Sequence, residues 1–103
     1  MKFIAILLAM FLTVSSLSGQ NSDKNRVIIL TDIEADPDDT QSIVRLLLYS
    51  NEIDIKGIVA TTSCWHKTMV NPESVVKLIK EYGKVQPNLL KHKPGYPESG
   101  YLL

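Results

Sequence analysis

Residues 26–62 read RVIILTDIEADPDDTQSIVRLLLYSNEIDIKGIVATT, and this stretch decides the fold. Residues 27–30 form a continuous apolar run rich in β-branched side chains, which is typical of a strand covered on both faces of a sheet. Residues 32–39 hold five carboxylates and a proline and therefore predict a loop. Residues 53–62 begin with alternation and become continuously apolar, which predicts a second buried strand.

Helical spacing separates and follows these strands. Ile43, Leu46 and Leu47 recur at intervals of three and four, so a helix is predicted from Asp38, with Asn51 as its stop. Acidic residues in the first turn of this helix favour its dipole.

A second helix is predicted to start after the N-cap Asn71, with Pro72 at its first position. Gly83 is expected to end it as a left-handed C-cap, and residues 85–101 are expected to form a loop.

The order strand, helix, strand, helix predicts an α/β fold with a parallel sheet and right-handed crossovers. In such sheets, ligands bind beyond the carboxyl ends of the strands. The loops at residues 32–39 and 61–70 both leave from that edge, so we expect a functional site there.

Residues 1–20 have the pattern of a secretory signal peptide, in which a basic start, the apolar residues 3–14 and small polar residues follow one another. A membrane anchor is the alternative, but about twelve apolar residues give roughly 18 Å of helix, too short to span a bilayer. We expect cleavage after Ser18, a mature domain over residues 21–103 that is secreted or periplasmic, and no stable membrane anchoring.

Composition excludes several classes of function. The 11 basic and 11 acidic residues give zero net charge, which argues against binding nucleic acid by phosphate neutralisation. A hydrophobic fraction of 45% argues against disorder, and a single cysteine cannot form an internal disulfide. The sequence stops at Leu103 just as a new apolar segment begins, so we expect a fragment that is inactive alone.

The five carboxylates of residues 32–39 have no basic residue among them. Each close pair of like charges costs roughly 1 kcal/mol even at high effective dielectric, so a counter-charge is expected. Ca²⁺ binds carboxylates, carbonyls and water and is the simplest candidate. Solvated loop and N-cap acids are the alternative interpretation.

Two acidic motifs fit poorly. An EF-hand starting at Asp32 requires glycine where Pro37 stands and glutamate where Ile43 stands. The Asp-x-Asp-x-Thr/Val loop of haloacid-dehalogenase-type phosphatases places Asp32 as nucleophile, but Glu34 and Asp36 occupy its Asp and Thr/Val positions.

A third motif fits better. A strand ending in Thr-Asp, followed by Asp-Asp at a helix start, resembles the nucleoside hydrolase signature Asp-x-Asp-Pro-Gly-x-Asp-Asp. Residues 31–63 (TDIEADPDDTQSIVRLLLYSNEIDIKGIVATTS) and 71–97 (NPESVVKLIKEYGKVQPNLLKHKPGYP) look like the nucleoside-hydrolase-like domain of secreted bacterial proteins also described as cellulose-binding. The resemblance covers nearly all of the mature chain and about the first quarter of that domain. It implies the start of a Rossmann-like nucleoside hydrolase fold.

The resemblance also implies roles for individual residues. Asp32 and Asp39 correspond to Ca²⁺ ligands, Asp32 also corresponds to the catalytic aspartate that activates the bound water, and Asp38 corresponds to the residue that hydrogen-bonds ribose hydroxyls. Counting back four residues from Asp38 selects Glu34 as the alternative to Asp32, but the strand end favours Asp32. Pro37 directly before the acidic pair departs from the hydrolase pattern.

The second loop carries further candidates for sugar binding. Thr61, Thr62 and Ser63 could offer hydroxyls or carbonyls to a sugar. Trp65 offers a ring for stacking and His66 could act as an acid, although loop residues of these types are often packing or surface residues. Cys64 is expected to be a small buried residue and not a nucleophile.

Two functions remain open at this point. The first is metal-assisted hydrolysis of an N-glycosidic bond in a ribonucleoside or related glycoside, which suits carboxylates that stabilise a cationic transition state. The second is a non-catalytic domain on the same fold that binds carbohydrate such as cellulose. The expected partner is a small glycoside or a polysaccharide.

Overall fold

The computed structural model describes residues 23–103, and the predicted signal peptide lies outside the described residues. The elements, in chain order, are β1 (Arg26–Thr31), α1 (Pro37–Leu48), β2 (Asp54–Ala60), α2 (Pro72–His92) and α3 (Ser99–Leu102).

The two strands pair in parallel, from Arg26 opposite Asp54 to Thr31 opposite Ala60, with an irregularity between Val27 and Ile28. Beyond the last pair, the Thr61 N–H donates to the Thr31 carbonyl at 2.8 Å. The carboxyl ends of both strands therefore lie side by side, and the predicted α/β architecture with a parallel sheet is confirmed.

The sheet has one covered and one open face among the described residues. Ile29 and Ile58 pack against the core that the helices form, whereas Ile28 and Leu30 are 67% and 69% exposed. The prediction that the first strand is covered on both faces is therefore wrong for residues 23–103, because α1 and α2 contribute their buried side chains to one face only.

The core joins both long helices to the acidic loop. Its members are apolar or aromatic side chains at most 5% exposed: Ile33, Ile43, Leu47, Val75, Ile79 and Tyr82. Ile33 is a loop residue, yet it is only 1% exposed, and the Asn71 side chain donates to its carbonyl at 3.2 Å. The loop that follows β1 is thus fixed at its centre by burial.

α1 starts one residue earlier than predicted. Pro37 takes its first position, which suits a residue without an N–H group, and Asp36 is the extended N-cap with no side-chain cap bond. The helix ends at Leu48, before the predicted stop at Asn51.

α2 does not end at Gly83 as predicted but continues to His92, through Pro87. Gly83 serves close packing instead, because a Cβ there would lie 2.6 Å from Ser99 Oγ. The left-handed glycine is Gly95, at φ 99°.

The segment predicted as a loop after α2 also contains α3. The Tyr82 hydroxyl donates to the Pro97 carbonyl at 2.7 Å, and Lys56 Nζ donates to the Tyr101 hydroxyl at 2.9 Å. These bonds hold the last residues against α2 and β2. Within residues 23–103, no helix has the length and apolar character needed to cross a membrane.

Candidate active site

The acidic loop and the second loop meet at the carboxyl edge of the sheet. Asp32 directly follows β1, Asp39 lies in the first turn of α1, and Ser63 follows β2. The parallel pairing places these loops side by side because both strands end at this edge.

Asp32 and Asp39 lie close enough for each side chain to perturb the pKa of the other, and both residues are half-buried. The Asp32 carboxylate, followed by desolvation, raises the pKa of Asp39 above its ordinary value. The Ser63 hydroxyl, followed by Asp39, lowers the pKa of Asp32. The pair is therefore asymmetric, with Asp32 favoured as the ionised member.

Thr31, the last residue of β1, is a neighbour of Asp39. Its side chain is 6% exposed and lies against the Asp39 carboxylate, whose pKa it acts to lower. The Thr31 Oγ1 atom has no well-aligned hydrogen-bond partner among the described residues. A buried hydroxyl oxygen is thus left available beside the two carboxylates.

Asp36 and Asp38 form a separate pair on the outside of the same loop. Both are exposed, and Asp38 raises the pKa of Asp36 through a shared side-chain contact. Asp38 is thus directed to the exposed N-terminus of α1, where a ligand above the sheet edge could reach it.

Glu34 takes no part in either pair. It is exposed and occupies the left-handed region at φ 76°, in a turn closed by the Ala35 N–H donating to the Asp32 carbonyl at 3.0 Å. A non-glycine residue in this region carries strain. Of the two alternatives considered for the first acid, the structure brings Asp32 to Asp39 and leaves Glu34 in solvent.

The second loop presents the other predicted residues. Thr62 is exposed, and the Trp65 side chain is 79% exposed beside the site. His66 is half-buried, and its attraction contributes to the lowered pKa of Asp32. Cys64 is exposed, contrary to the expectation of a buried thiol, because the turn at residues 63–66 directs it outward.

Ser63 closes the turn at the start of the second loop. Its hydroxyl, one of the candidates for sugar contact, accepts hydrogen bonds from the Trp65 and His66 N–H groups at 3.1 Å each, and it lowers the pKa of the nearby Asp32. A serine hydroxyl that accepts hydrogen bonds from the backbone N–H groups two and three residues further along is a common turn motif. The proximity to Asp32 involves two loops and cannot be read from that motif.

The donor set fits a hard divalent cation in part. Asp32 and Asp39 supply carboxylate oxygens, and Thr31 has an unpartnered hydroxyl oxygen next to them. Among residues 23–103, no three His, Cys, Asp or Glu side chains converge as a metal site. Further ligands would have to be water, carbonyl groups or residues outside this part of the chain.

The fold and the site define a class of protein. It is an α/β domain with an aspartate-bearing loop at the carboxyl edge of its parallel sheet. Residues 26–103 match the family described as "Cellulose-binding Sde182, nucleoside hydrolase-like domain". The chain belongs to this family.

A solved structure agrees with this assignment. It is that of a nucleoside hydrolase-related hypothetical protein from Saccharophagus degradans associated with carbohydrate metabolism, with 47% sequence identity and a TM-score of 0.73. The match covers 77% of this chain and 19% of that chain, so this chain spans about a fifth of its length. No curated protein matches this chain.

Proposed function

We propose that this edge of the sheet is part of a site for metal-assisted hydrolysis of an N-glycosidic bond in a ribonucleoside or related glycoside. The observation that carries the proposal is the proximity of two half-buried aspartates, Asp32 directly after β1 and Asp39 in the first turn of α1, at the carboxyl edge of the sheet. Two adjacent anions without a basic partner in the loop favour a cationic ligand or a cationic transition state.

Asp32 and Asp39 are the proposed ligands of Ca²⁺, with Thr31 as a neighbouring oxygen. When bound, the cation would offset the repulsion of the two carboxylates and polarise water at the site.

Asp32 is the proposed general base. Like an ordinary aspartate it is ionised at neutral pH, so its carboxylate could accept a proton from the water that attacks the anomeric carbon. As the bond between the sugar and the nucleobase breaks, positive charge develops on the sugar ring, and the neighbouring carboxylates stabilise that charge.

Asp38, Thr62 and Trp65 are the proposed sugar-binding residues. The exposed Asp38 carboxylate can accept hydrogen bonds from sugar hydroxyls, and the exposed Thr62 can offer polar atoms at the same edge. The Trp65 ring is available for stacking because 79% of its surface is exposed.

A non-catalytic carbohydrate-binding role is the second candidate. The exposed Trp65 favours it, and so does the family description, which includes cellulose binding. For both candidate functions we propose a secreted or periplasmic location, where the protein would meet extracellular or periplasmic glycosides.

The hydrolase is tested in a chimeric domain, in which residues 26–103 replace the matching segment of the Saccharophagus degradans protein. The chimeric domain is incubated with purine and pyrimidine nucleosides and Ca²⁺, and the released purine or pyrimidine nucleobase is measured. We expect release that Asp32→Asn abolishes and Glu34→Gln leaves intact. Retention on cellulose without base release in any sample would favour the binding role and contradict the hydrolase.

A further inference from the structure

The open face of the sheet carries apolar side chains from both strands. Leu30 and Val59 are partners in the strand register and are 69% and 45% exposed. Ile28 is 67% exposed, and a Cβ added to its register partner Gly57 would have no other part of the chain within 4 Å. Register partners project to the same face of a sheet. The described residues therefore leave one face uncovered, whereas parallel sheets are normally covered on both faces.

β1 also has a free edge. Among residues 23–103, the sheet consists of β1 and β2, so no strand lies on the side of β1 that faces away from β2. A cavity of about 220 Å³ is lined by both Ile29, which packs against the core, and Leu30, which lies on the open face. No described residue of β2 lines it. A cavity that reaches both faces of β1 without touching β2 lies along this free edge.

The cavity has the character of an incomplete core. Ile43 and Leu46 of α1 form its apolar wall opposite β1, and Thr31 lies at its carboxyl end. The Thr31 Oγ1 atom is buried and has no hydrogen-bond partner among the described residues. Buried polar atoms are normally paired, so part of the packing here is expected from outside these residues. An extended segment along β1 would insert side chains into this cavity.

The two strands differ in their protection against the addition of a further strand. Charged side chains, lysine above all, discourage pairing at an exposed strand. β2 carries Asp54 and Lys56, which form an ion pair at 2.8 Å, and the Tyr101 hydroxyl is hydrogen-bonded to both. Residues 27–31 of β1 carry no charge and no proline. β1 is therefore the strand that is open to further pairing.

We propose that the free edge of β1 and the open face form one docking surface for the remaining strands and helices of a nucleoside hydrolase-like domain, supplied as a separate polypeptide. The match at 47% identity covers 19% of the Saccharophagus degradans protein, so most of that protein lies outside the match and has the length for further parallel strands and covering helices. One strand of the partner pairs with β1, and a helix covers Ile28, Leu30 and Val59. This inference goes beyond the proposed function and does not depend on Ca²⁺ or turnover.

The partner in the test is the Saccharophagus degradans protein without the segment that matches this chain. It is co-expressed with the affinity-tagged full chain, and the purified complex is weighed by native mass spectrometry. We expect an equimolar complex with wild type. Leu30→Ser should lower the amount of bound partner about tenfold or more, because a leucine that becomes buried on binding contributes to affinity. Leu48→Ser, which alters a leucine 44% exposed on α1, is the matched control and should bind like wild type.

A second variant is used if circular dichroism shows that Leu30→Ser does not fold. Ile28→Thr keeps a β-branched side chain that suits a strand, and it should lower the amount of bound partner about threefold or more. Wild-type binding by a folded Leu30→Ser or Ile28→Thr would overturn the proposal.

Hydrogen exchange separates strand addition from packing on the face alone. In the complex, the amides of residues 26–31 should exchange about tenfold more slowly than in the free chain, because N–H groups at the free edge acquire partners. The slowing should be larger there than in α2. A complex in which residues 26–31 exchange as fast as in the free chain would contradict pairing with β1.

Two other outcomes would also count against this docking surface. If the wild-type chain alone forms a dimer that Leu30→Ser separates, the open face joins two copies of this chain. If the partner stays insoluble or unbound beside the wild-type chain, while the intact Saccharophagus degradans protein is soluble under the same conditions, the surface does not accept the rest of the domain.

Discussion

Two pairs of aspartates lie within residues 32–39 and differ in what surrounds them. Asp32 and Asp39, the supported pair, are half-buried and have Ser63 and Thr31 as neighbours that lower their respective pKa values. Asp36 and Asp38, the exposed pair, lie at the start of α1. Each pair has one member with a raised pKa. A raised pKa therefore does not distinguish the pairs, whereas the neighbours from the second loop, Ser63 and His66, lie beside the supported pair.

The difference has a physical cause in the sheet. Thr31 and Asp32 are placed by β1, Ser63 is placed by the end of β2, and the parallel pairing brings both ends together. The exposed pair belongs to one helix start, where carboxylates are common because they favour the helix dipole. This difference is why we propose metal binding at the supported pair and sugar contact at the exposed Asp38.

The largest expected effect comes from removing the anchor of the loop. Ile33 directly follows Asp32 and is 1% exposed, so Ile33→Ala should lower the free energy of unfolding by about 2–5 kcal/mol. It should also weaken Ca²⁺ binding, because Asp32 is the neighbouring residue. Urea unfolding and Ca²⁺ titration of the full chain measure both.

Val44→Ala is the matched control for Ile33→Ala. It truncates an apolar side chain that is 42% exposed on α1, so it should cost less than about 1 kcal/mol and leave Ca²⁺ affinity unchanged. Equal losses in the two variants would show that Ile33 does not anchor the acidic loop.

A second prediction tests the role given to the exposed pair. In the chimeric domain, Asp38→Asn should lower kcat roughly 10- to 100-fold, and more than it raises KM, because sugar hydroxyls are held most tightly as positive charge develops. Its Ca²⁺ affinity should stay close to wild type. Steady-state kinetics and Ca²⁺ titration are the measurements, and a large loss of Ca²⁺ affinity would place Asp38 among the metal ligands.

A third prediction uses pH to distinguish the pairs. Because the pKa values of Asp36 and Asp39 are raised in the folded chain, the associated stability is present below the unfolded pKa of ~3.9 and is lost as pH rises through the folded value. Asp36→Asn and Asp39→Asn should therefore both raise Tm relative to wild type at neutral pH without Ca²⁺. Adding Ca²⁺ should reverse this difference for Asp39→Asn alone, as thermal scans from pH 3.5 to pH 7 can show.

Two outcomes of these thermal scans would contradict the prediction. If Ca²⁺ reverses the difference for Asp36→Asn and leaves Asp39→Asn more stable than wild type, the metal belongs to the exposed pair. If Asp39→Asn lowers Tm at neutral pH without Ca²⁺, repulsion from Asp32 does not destabilise the folded chain.

The sequence was sufficient for features that depend on local pattern. The apolar runs predicted both strands, and the helical spacing around Ile43 and Leu47 predicted α1 to within one residue at its start. The parallel order of the strands then located the loops at one edge. These predictions succeed because burial periodicity and the handedness of crossovers are properties of the chain itself.

The features that were missed depend on residues distant in sequence. Gly83 has the position of a C-cap, but it serves the approach of Ser99, so α2 continues past it. Ser63 has the pattern of a turn residue, but its proximity to Asp32 arises only when the two strands pair. Neither partner can be identified from local spacing.

The smallest expected effect concerns the strained residue between Asp32 and Asp36. Glu34 is in the left-handed region, which glycine adopts without steric cost, so Glu34→Gly should raise the free energy of unfolding by at most ~1 kcal/mol. Ca²⁺ affinity should not change, because the Glu34 carboxylate takes no part in the supported pair. Urea unfolding measures the first effect, and a loss of Ca²⁺ affinity in Glu34→Gln would restore Glu34 as the alternative first acid.

The most direct measurement is a calorimetric Ca²⁺ titration of the full chain with three single variants, Asp32→Asn, Asp39→Asn and Asp36→Asn. Each removes one charge of the acidic loop, so a general loss of negative charge should affect all three equally. We predict a loss of Ca²⁺ affinity on the order of 100-fold or more for Asp32→Asn and for Asp39→Asn, and less than about threefold for Asp36→Asn. Equal, small losses in all three variants would contradict a metal site built on Asp32 and Asp39.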